Sequence, residues 1–408
     1  VVGWEGVSLD TPIGARRAVL VGRGLALCWA AIALWCTWIL GRRCFGPTAG
    51  LLACGLLAVL PGAIQQGHFY TVDGPFTALS AAALVAILRA VETGRRADLA
   101  VAGALIGLTM AVRLNGGLLA LVLVVGLLAR TWRSEASVRA AVSVLMAPRL
   151  WLAGAVAAIF LLGLQPYLVT DPGRLLRAES TSDFGLSLAI ATGRQLQPWT
   201  LYDVHTTRYL HHLTELLPRF AGWPLTVACL VALAWGARRR DPATQLLLLW
   251  VVFAFVQLGG LHTKHVRYLY PLMPVLAAFV GGLLVTAAVV LWTATAGLAF
   301  TWIYTVEDSR LRARRWLAER VEPGALTGVE RGGFSMSGLL DGLQLQPAPL
   351  MRSRSYAAAA YMTCGLRRES LATDLLRLDY VSFVDVNRYR QVAAVTDWFP
   401  ILSEFYNG

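Results

Sequence analysis

Residues 74–91 of the chain, GPFTALSAAALVAILRAV, form an apolar run that contains a single charged residue, Arg89. A membrane-spanning helix needs about 20 mainly apolar residues, so this run predicts a helix that crosses a bilayer. The rest of the chain has the same character, because 57% of its 408 residues are hydrophobic and only 15% are charged. Soluble domains contain about 25% charged residues. We therefore predict a polytopic α-helical membrane protein.

Ten spans are predicted from runs of this kind. They occupy residues 19–40, 47–64, 74–91, 97–113, 116–131, 150–168, 221–238, 243–261, 268–285 and 286–304. The last two divide one uncharged run, residues 269–304, at Gly281-Gly282, because a glycine pair weakens a helix. The same run is also compatible with a single span, or with two spans whose connecting loop is missing from this sequence.

The net charge of +12 is concentrated in short arginine clusters between the apolar runs. Examples are Arg42-Arg43, Arg95-Arg96 and Arg238-Arg239-Arg240, and the positive-inside rule assigns such loops to the cytoplasm. The charge therefore indicates topology in a plasma (inner) membrane, and no nucleic-acid partner is predicted. The alternating loops are predicted to face outward. They cover residues 65–74, 114–116, 169–220 and 262–267.

The predicted spans divide the chain into three parts. Residues 1–18 are the remnant of a first extracytoplasmic loop, and residues 19–304 form the transmembrane domain with its long outward loop, 169–220. Residues 305–408 are more polar and include the strand-like run 378–384, LDYVSFV. We predict that they form a small extracytoplasmic α/β domain.

The first candidate site is the outward turn at residues 65–75, QQGHFYTVDGP. A carboxylate such as Asp73, placed where the chain re-enters the bilayer, is costly to desolvate unless it is paired or functional. The alternative is that Asp73 caps the helix that begins near Pro75. His68 and Tyr70 in the same turn are candidates for substrate contacts.

The second candidate site is the segment 262–268, HTKHVRY, at the start of a late span. Lys264 supplies a compact charge and Arg267 a bidentate fork, which suits a phosphate ligand. Snorkelling of these side chains to lipid head groups is the alternative. Arg113, at the end of another span, has the same two interpretations, an anion site or snorkelling.

All six histidines lie in or beside the predicted outward loops, which favours a polar site on that face. The long outward loop contains Tyr202 and His205 among other aromatic and polar residues. Such a composition is typical of a helix that rests on the membrane surface or of a surface that binds an acceptor.

Five strings in this order resemble the GT-C superfamily of membrane glycosyltransferases, and in particular glycosyltransferase family 39. That family includes the protein O-mannosyltransferases and the lipid A aminoarabinose transferases. The strings are Val21-Gly22-Arg23, residues 67–75, Ala111–Gly116, the segment from Lys264 through Tyr268 to Pro274, and residues 307–325.

This resemblance implies an inverting hexosyl or pentosyl transfer from a polyprenyl-phosphate sugar to an extracytoplasmic protein, lipid or glycan. Asp73 becomes an active-site carboxylate, and the donor phosphate is bound by Lys264, Arg267, Arg113 and Arg23. His68, Tyr70, His265, Tyr268, Tyr202 and His205 line the substrate. The principal catalytic base of such enzymes is expected upstream of residue 1. No cofactor is required by the motifs, although a divalent metal ion is compatible with them.

Other functions are compatible with the same residues. A secondary transporter would use the intramembrane charges as a substrate pathway, but it usually contains internal repeats, which the sequence lacks. A catalytically inactive membrane subunit that binds glycans is a second alternative. An O-antigen ligase or polymerase would use a diphosphate donor.

Overall fold

The computed structural model describes residues 12–175, 177, 184–195, 200, 206–283, 286–306, 326–330, 352–356 and 380–382. The α-helices within these ranges are α1 Pro12–Phe45, α2 Pro47–Val59, α3 Pro61–His68, α4 Asp73–Thr93, α5 Arg96–Val112, α6 Leu118–Glu135, α7 Val138–Met146, α8 Pro148–Leu164, α9 Tyr167–Thr170, α10 Phe184–Thr192, α11 Leu217–Ala221, α12 Trp223–Arg238, α13 Pro242–Gly260, α14 Met273–Gly281 and α15 Thr286–Thr301. Short 3₁₀ segments cover Leu114–Gly117, Pro172–Leu175, Val266–Leu272 and Trp302–Tyr304, and His212–Leu216 is a π-helix.

Four of the described helical segments are long and apolar enough to cross a membrane. They are Leu20–Phe45, Asp73–Thr93, Leu114–Glu135 and Pro242–Gly260. The number rises to seven if each bent pair of helices is one span, and the pairs are α2 with α3, α7 with α8, and His212–Ala221 with α12. Two further apolar helical stretches, Val266–Gly281 and Val289–Tyr304, are shorter. The predicted count of ten spans is therefore not confirmed, although a helix covers most of every predicted span.

The late run at residues 269–304 folds as two helices. Helix α14 ends at Gly281 and α15 begins at Thr286, so the predicted break at the glycine pair agrees with the structure. Two prolines shorten α14, because Pro271 lies inside the preceding 3₁₀ segment and Pro274 in the first turn of the helix. Proline has no backbone N–H and is well tolerated only in the first turn of an α-helix.

Small residues allow helices α5 and α8 to pack closely. Gly103 and Gly107 are four residues apart on one face of α5, and they face the backbone of Ala153 and Ala157 on α8. A Cβ atom added to either glycine would overlap a carbonyl oxygen of α8. This spacing of small residues is typical of helix pairs in membranes, where contact depends on close backbone approach.

The helices of residues 22–192 and 207–302 belong to one compact unit, which has two chemically different ends. At the first, the arginine-rich end, Arg43 of α1 pairs with Glu92 of α4, and Arg130 of α6 donates to the Val91 carbonyl at 2.6 Å. At the second, the Asp73 end, Gln165 after α8 donates to the Ala111 carbonyl of α5 at 2.5 Å. The positive-inside rule predicts that the first end is cytoplasmic.

The three described strands belong to the second compact unit of the chain. Strand β1 (Leu326–Glu330) lies between β2 (Arg352–Tyr356) and β3 (Tyr380–Ser382), and both pairings are parallel. Strand β3 lies within the run 378–384 that the sequence predicts to be a strand. Apart from residues 305 and 306, the remaining residues of the predicted α/β domain lie outside the described ranges.

Candidate active site

Asp73 is the first residue of helix α4 and is only 1% exposed. The residue before the helix is Val72, and no side chain caps the helix N-terminus. The prediction that Asp73 caps a helix beginning near Pro75 is therefore wrong, because the helix already includes Asp73. A carboxylate in the first turn is stabilised by the positive end of the helix dipole. Its main partners, however, come from other segments.

Two arginines from distant parts of the chain lie against Asp73. Arg113 Nη2 is 2.8 Å from Oδ1, and Arg267 Nε is 3.6 Å from Oδ2. The Arg113 N–H groups are not aligned with Oδ1, so this oxygen accepts no well-directed hydrogen bond from the described residues. The attraction between the charges depends on distance rather than on this alignment, and the two formal charges of +1 outweigh the single carboxylate.

The chain turns sharply after Arg113, and this turn directs its side chain toward Asp73. Arg113 has extended backbone angles at the end of α5, and the 3₁₀ segment Leu114–Gly117 follows at once. Gly116 packs against Thr109, and a Cβ atom added there would lie 2.8 Å from the Thr109 methyl group. The string Arg113-Leu114-Asn115-Gly116 thus forms a turn that a larger side chain at residue 116 would disturb.

Aromatic rings hold both guanidinium groups. Arg113 Cζ lies 5.3 Å from the centre of the Tyr268 ring and 5.8 Å from that of Phe76. Arg267 Cζ lies 5.8 Å from the same Tyr268 ring. Such cation–π contacts contribute about 0.5–1 kcal/mol at exposed positions and more where water is excluded. Tyr268 therefore contacts both of the arginines that lie against Asp73.

His265 packs edge-on against Tyr268, with ring centres 5.1 Å apart. Burial and, to a lesser extent, the charges of Arg267 and Arg113 together lower its pKa from 6.5 to about 4. The imidazole is therefore neutral at pH 7. Among the described residues, the positive charges in contact with Asp73 are therefore those of Arg113 and Arg267.

A cavity of about 460 Å³ opens beside Arg113, between helices α5, α8, α10 and α13. Arg113, Asn115, Gln165, Ser187 and Gln257 contribute polar groups to its wall. Asn115 Nδ2 donates to Gln257 Oε1 at 3.3 Å, which joins the turn after α5 to α13. Asp73 contacts Arg113 but does not itself line the cavity.

Gln165 and Gln257 are not among the site residues predicted from the sequence. Each amide lies near the predicted outward end of an otherwise apolar span. A polar side chain in such a position is costly unless it has a partner, and this is the signal by which both could have been found. Phe76 carries no such signal, because apolar residues surround it in sequence.

The other predicted site residues occupy different positions. Lys264 is 6% exposed, and its Nζ donates to the His262 carbonyl at 2.8 Å. His68 Nδ1 lies 2.8 Å from the Ile64 carbonyl oxygen, whereas Tyr70 is 63% exposed. Arg23 is exposed on α1, and no contact joins it to Asp73 within the described residues. Tyr202 and His205 lie outside the described ranges.

A divalent metal ion does not fit at Asp73. Both carboxylate oxygens face guanidinium groups, which would repel a cation. In the part of the chain that the structure describes, no three histidine, cysteine, aspartate or glutamate side chains form a group that could hold a metal.

Comparisons with known proteins concern the family and the fold of the chain. Residues 17–169 match the family model for dolichyl-phosphate-mannose-protein mannosyltransferases. The apo structure of ArnT from Cupriavidus metallidurans is 15% identical and has a TM-score of 0.52, with 91% of this chain and 76% of that chain covered. The structure of the same ArnT bound to undecaprenyl phosphate gives a TM-score of 0.51 at 15% identity, with 88% and 75% covered.

An Archaeoglobus fulgidus oligosaccharyltransferase structure in the apo form has 15% identity and covers 94% of this chain and 61% of that chain. Its TM-score of 0.47 is too low to establish a common fold. No curated protein sequence matches the chain.

The apolar helices and these structures define a multi-pass membrane protein with a fold like that of ArnT. Together with the family match over residues 17–169, they support the predicted resemblance to the GT-C superfamily of membrane glycosyltransferases.

Proposed function

We propose that this protein transfers a sugar from a polyprenyl-phosphate donor to an acceptor on the extracytoplasmic face of the membrane. One observation carries the proposal. Arg113 is held by the buried carboxylate of Asp73 at the wall of a cavity of about 460 Å³ that also presents three side-chain amides. A fixed guanidinium suits the phosphate, and the amides suit sugar hydroxyl groups.

In the proposed reaction an acceptor hydroxyl oxygen attacks the anomeric carbon of the sugar. The new carbon–oxygen bond forms as the bond between this carbon and the phosphate oxygen breaks. The electron pair remains on the phosphate, which leaves as polyprenyl phosphate, and a carboxylate base takes the hydroxyl proton. Attack from the side opposite the phosphate inverts the anomeric configuration.

The positive groups act on the leaving phosphate. Negative charge accumulates on its oxygens in the transition state, and cations already in place lower the barrier without having to reorganise. Arg113 is assigned to direct contact because it lines the cavity. Arg267 is 46% exposed and Lys264 is buried against its own loop, so both are assigned a weaker, longer-range contribution.

Asp73 is assigned as a positioning residue. It contacts Arg113 and Arg267 but does not line the cavity, so it acts on the substrate through the arginines. Without its charge, the two guanidinium groups would repel each other and leave this arrangement. Its helix N-terminus and its burial fix the position of the carboxylate.

A second, apolar cavity is suited to the polyprenyl chain. It measures about 370 Å³ and is lined by residues of α5, α6, α7 and α8, among them Gly103, Ile106 and Trp151. Ile106 lines this second cavity, and Met110 lines the cavity beside Arg113. The two residues are four positions apart on α5, which corresponds to about 6 Å along the helix. A donor lying along α5 would therefore reach both cavities.

The proposal is tested by supplying membranes that contain the full chain with a panel of radiolabelled polyprenyl-phosphate sugars. We expect transfer from at least one donor and a fall of about 10²–10³-fold in Arg113→Gln, the effect of removing one preorganised group that stabilises charge. Arg43→Gln is the matched control, because it removes the same charge at the opposite end of the unit. An absence of transfer from every donor by correctly folded protein would overturn the proposal.

A further inference from the structure

A third cavity, of about 550 Å³, lies at the arginine-rich end between helices α4, α6 and α13. Its apolar lining includes Val125, Leu246 and Leu249. Its outer rim carries Arg130 and Arg133 from the last turns of α6. The cavity thus combines a hydrocarbon-lined interior with a positively charged opening, and it shares no lining residue with the candidate active site.

The two rim arginines have no acidic partner within the described residues. Arg130 Nη1 donates to the Val91 carbonyl at 2.6 Å, which fixes its guanidinium but leaves its charge uncompensated. Glu92 also lines the cavity, but its carboxylate is paired with Arg43. Asp241, which precedes the lining residue Pro242, accepts hydrogen bonds from the backbone and hydroxyl of Thr244.

A third guanidinium approaches the same place. A methyl group placed on Gly94 would lie 3.0 Å from Arg130 Nη1 and 3.7 Å from Arg149 Nη1. Arg130 and Arg149 come from different helices, α6 and α8, and yet their side chains extend over the same turn after α4. Like charges that converge in this way repel each other unless an anion lies between or beside them.

We propose that this cavity binds the phosphate head group of an anionic phospholipid, with the start of an acyl chain against Val125 and Leu249. Arginine forks pair with phosphate oxygens through two hydrogen bonds each. Basic pockets between membrane helices on the cytoplasmic side are suited to such head groups. The apolar wall distinguishes a lipid from a free phosphate ion, because only the lipid supplies hydrocarbon to cover it. The site is independent of the proposed transferase activity.

The test measures thermal unfolding of the purified full chain in neutral detergent with added phosphatidylglycerol, phosphatidylcholine or inorganic phosphate. We expect phosphatidylglycerol to raise the unfolding temperature and the other two to leave it unchanged. Each of Arg130→Gln and Arg133→Gln should weaken the apparent affinity for phosphatidylglycerol about 5-fold, the effect of ~1 kcal/mol per basic residue near a lipid surface. Arg238→Gln is the control, because Arg238 is exposed at the same end and does not line the cavity.

A second variant tests the apolar wall with all arginines present. Val125→Trp places a large side chain in the cavity and should reduce the rise in unfolding temperature caused by phosphatidylglycerol. This variant keeps the test decisive if an arginine variant does not fold. Three results would overturn the inference. They are an equal shift with inorganic phosphate, an undiminished shift in the double variant of Arg130 and Arg133, and an undiminished shift in Val125→Trp.

Discussion

The two ends of the helical unit both pair arginine with a carboxylate, but the pairs differ in their exposure to water. The Asp73 side chain is 1% exposed, whereas the Glu92 side chain, paired with Arg43, is 57% exposed. An exposed pair contributes about 0–1 kcal/mol to stability, whereas removal of one partner from a buried pair costs about 3–5 kcal/mol. The same residue types therefore indicate the orientation in the membrane at one end and hold a preorganised site at the other.

The ends also differ in what surrounds the arginines. At the Asp73 end, Arg113 contacts a carboxylate and two aromatic rings, and it lines a cavity that also presents side-chain amides. At the arginine-rich end, Arg130 and Arg133 line a cavity and have no acidic partner among the described residues. The first arrangement fixes a cation before a substrate binds, and the second leaves cations available to a lipid anion.

The largest effect is expected at Asp73. Asp73→Ala removes the buried countercharge of Arg113 and Arg267, so we expect the free energy of unfolding to fall by about 3 kcal/mol. This value is at the lower end of the range for a broken buried pair, because Arg267 is half exposed. Glu92→Ala is the matched control at the other end and should cost less than about 1 kcal/mol. Both are measured by denaturant unfolding in detergent. Equal losses in the two variants would show that burial does not distinguish the pairs.

The next effect concerns Arg267. Its Nε is 3.6 Å from Asp73 and its side chain is partly solvated, so its charge is screened more than that of Arg113. We expect Arg267→Gln to lower the rate of sugar transfer about 10-fold, less than the 10²–10³-fold loss for Arg113→Gln. Single-turnover rates with a saturating donor provide the measurement. A larger loss for Arg267 than for Arg113 would reverse the roles assigned to the two residues.

A smaller effect is expected on the pH dependence of stability. His265 has its pKa lowered to about 4, by burial first and then by Arg267 and Arg113, whereas the unfolded chain binds the proton near pH 6.5. The stability that depends on a neutral His265 is therefore fully present above pH 6.5. It is lost as the pH falls from 6.5 to 4, because the unfolded chain then binds a proton that the folded protein does not. His265→Phe should lose less thermal stability than the wild type between pH 7.5 and 5. Identical pH profiles would show that His265 is not buried as described.

The smallest effect is expected for Arg43. Arg43→Gln breaks the exposed pair with Glu92 and should change the free energy of unfolding by less than about 1 kcal/mol. The change should shrink further at high salt, because exposed charges are screened. Unfolding curves at low and high salt provide the check. A loss of several kcal/mol, or one that salt does not reduce, would mean that this pair is shielded from water.

Much of the fold could be predicted because it depends on local composition. The run 74–91 coincides with most of α4, and the glycine pair at 281–282 marks the end of α14. The breaks inside apolar runs were harder to predict. Helix α2 ends at Val59 and α3 begins at Pro61, where the chain bends by 61°, although the sequence predicts one span there. The bend follows from a proline whose neighbours are all apolar, so hydropathy alone gives no sign of it.

The candidate site could be predicted in its residue types but not in its geometry. Asp73, Arg113 and Arg267 are separated by up to 194 positions, and only the packing of α4, α5 and the segment after α13 brings them together. Arg23 shows the limit of the same reasoning, because it has the expected chemistry but lies exposed on α1, without a described contact to Asp73. Side-chain contacts over such separations depend on the tertiary fold, which no local pattern encodes.

The most direct test of the account is a double-mutant cycle on sugar transfer with Asp73→Asn, Arg113→Gln and the double variant. If Asp73 acts by holding Arg113, the loss of Asp73 matters little once Arg113 is gone, so the double variant should be about as slow as Arg113→Gln alone. If the two losses multiply instead, Asp73 and Arg113 act on the reaction independently, and the claim that a buried carboxylate positions the phosphate-binding arginine is contradicted.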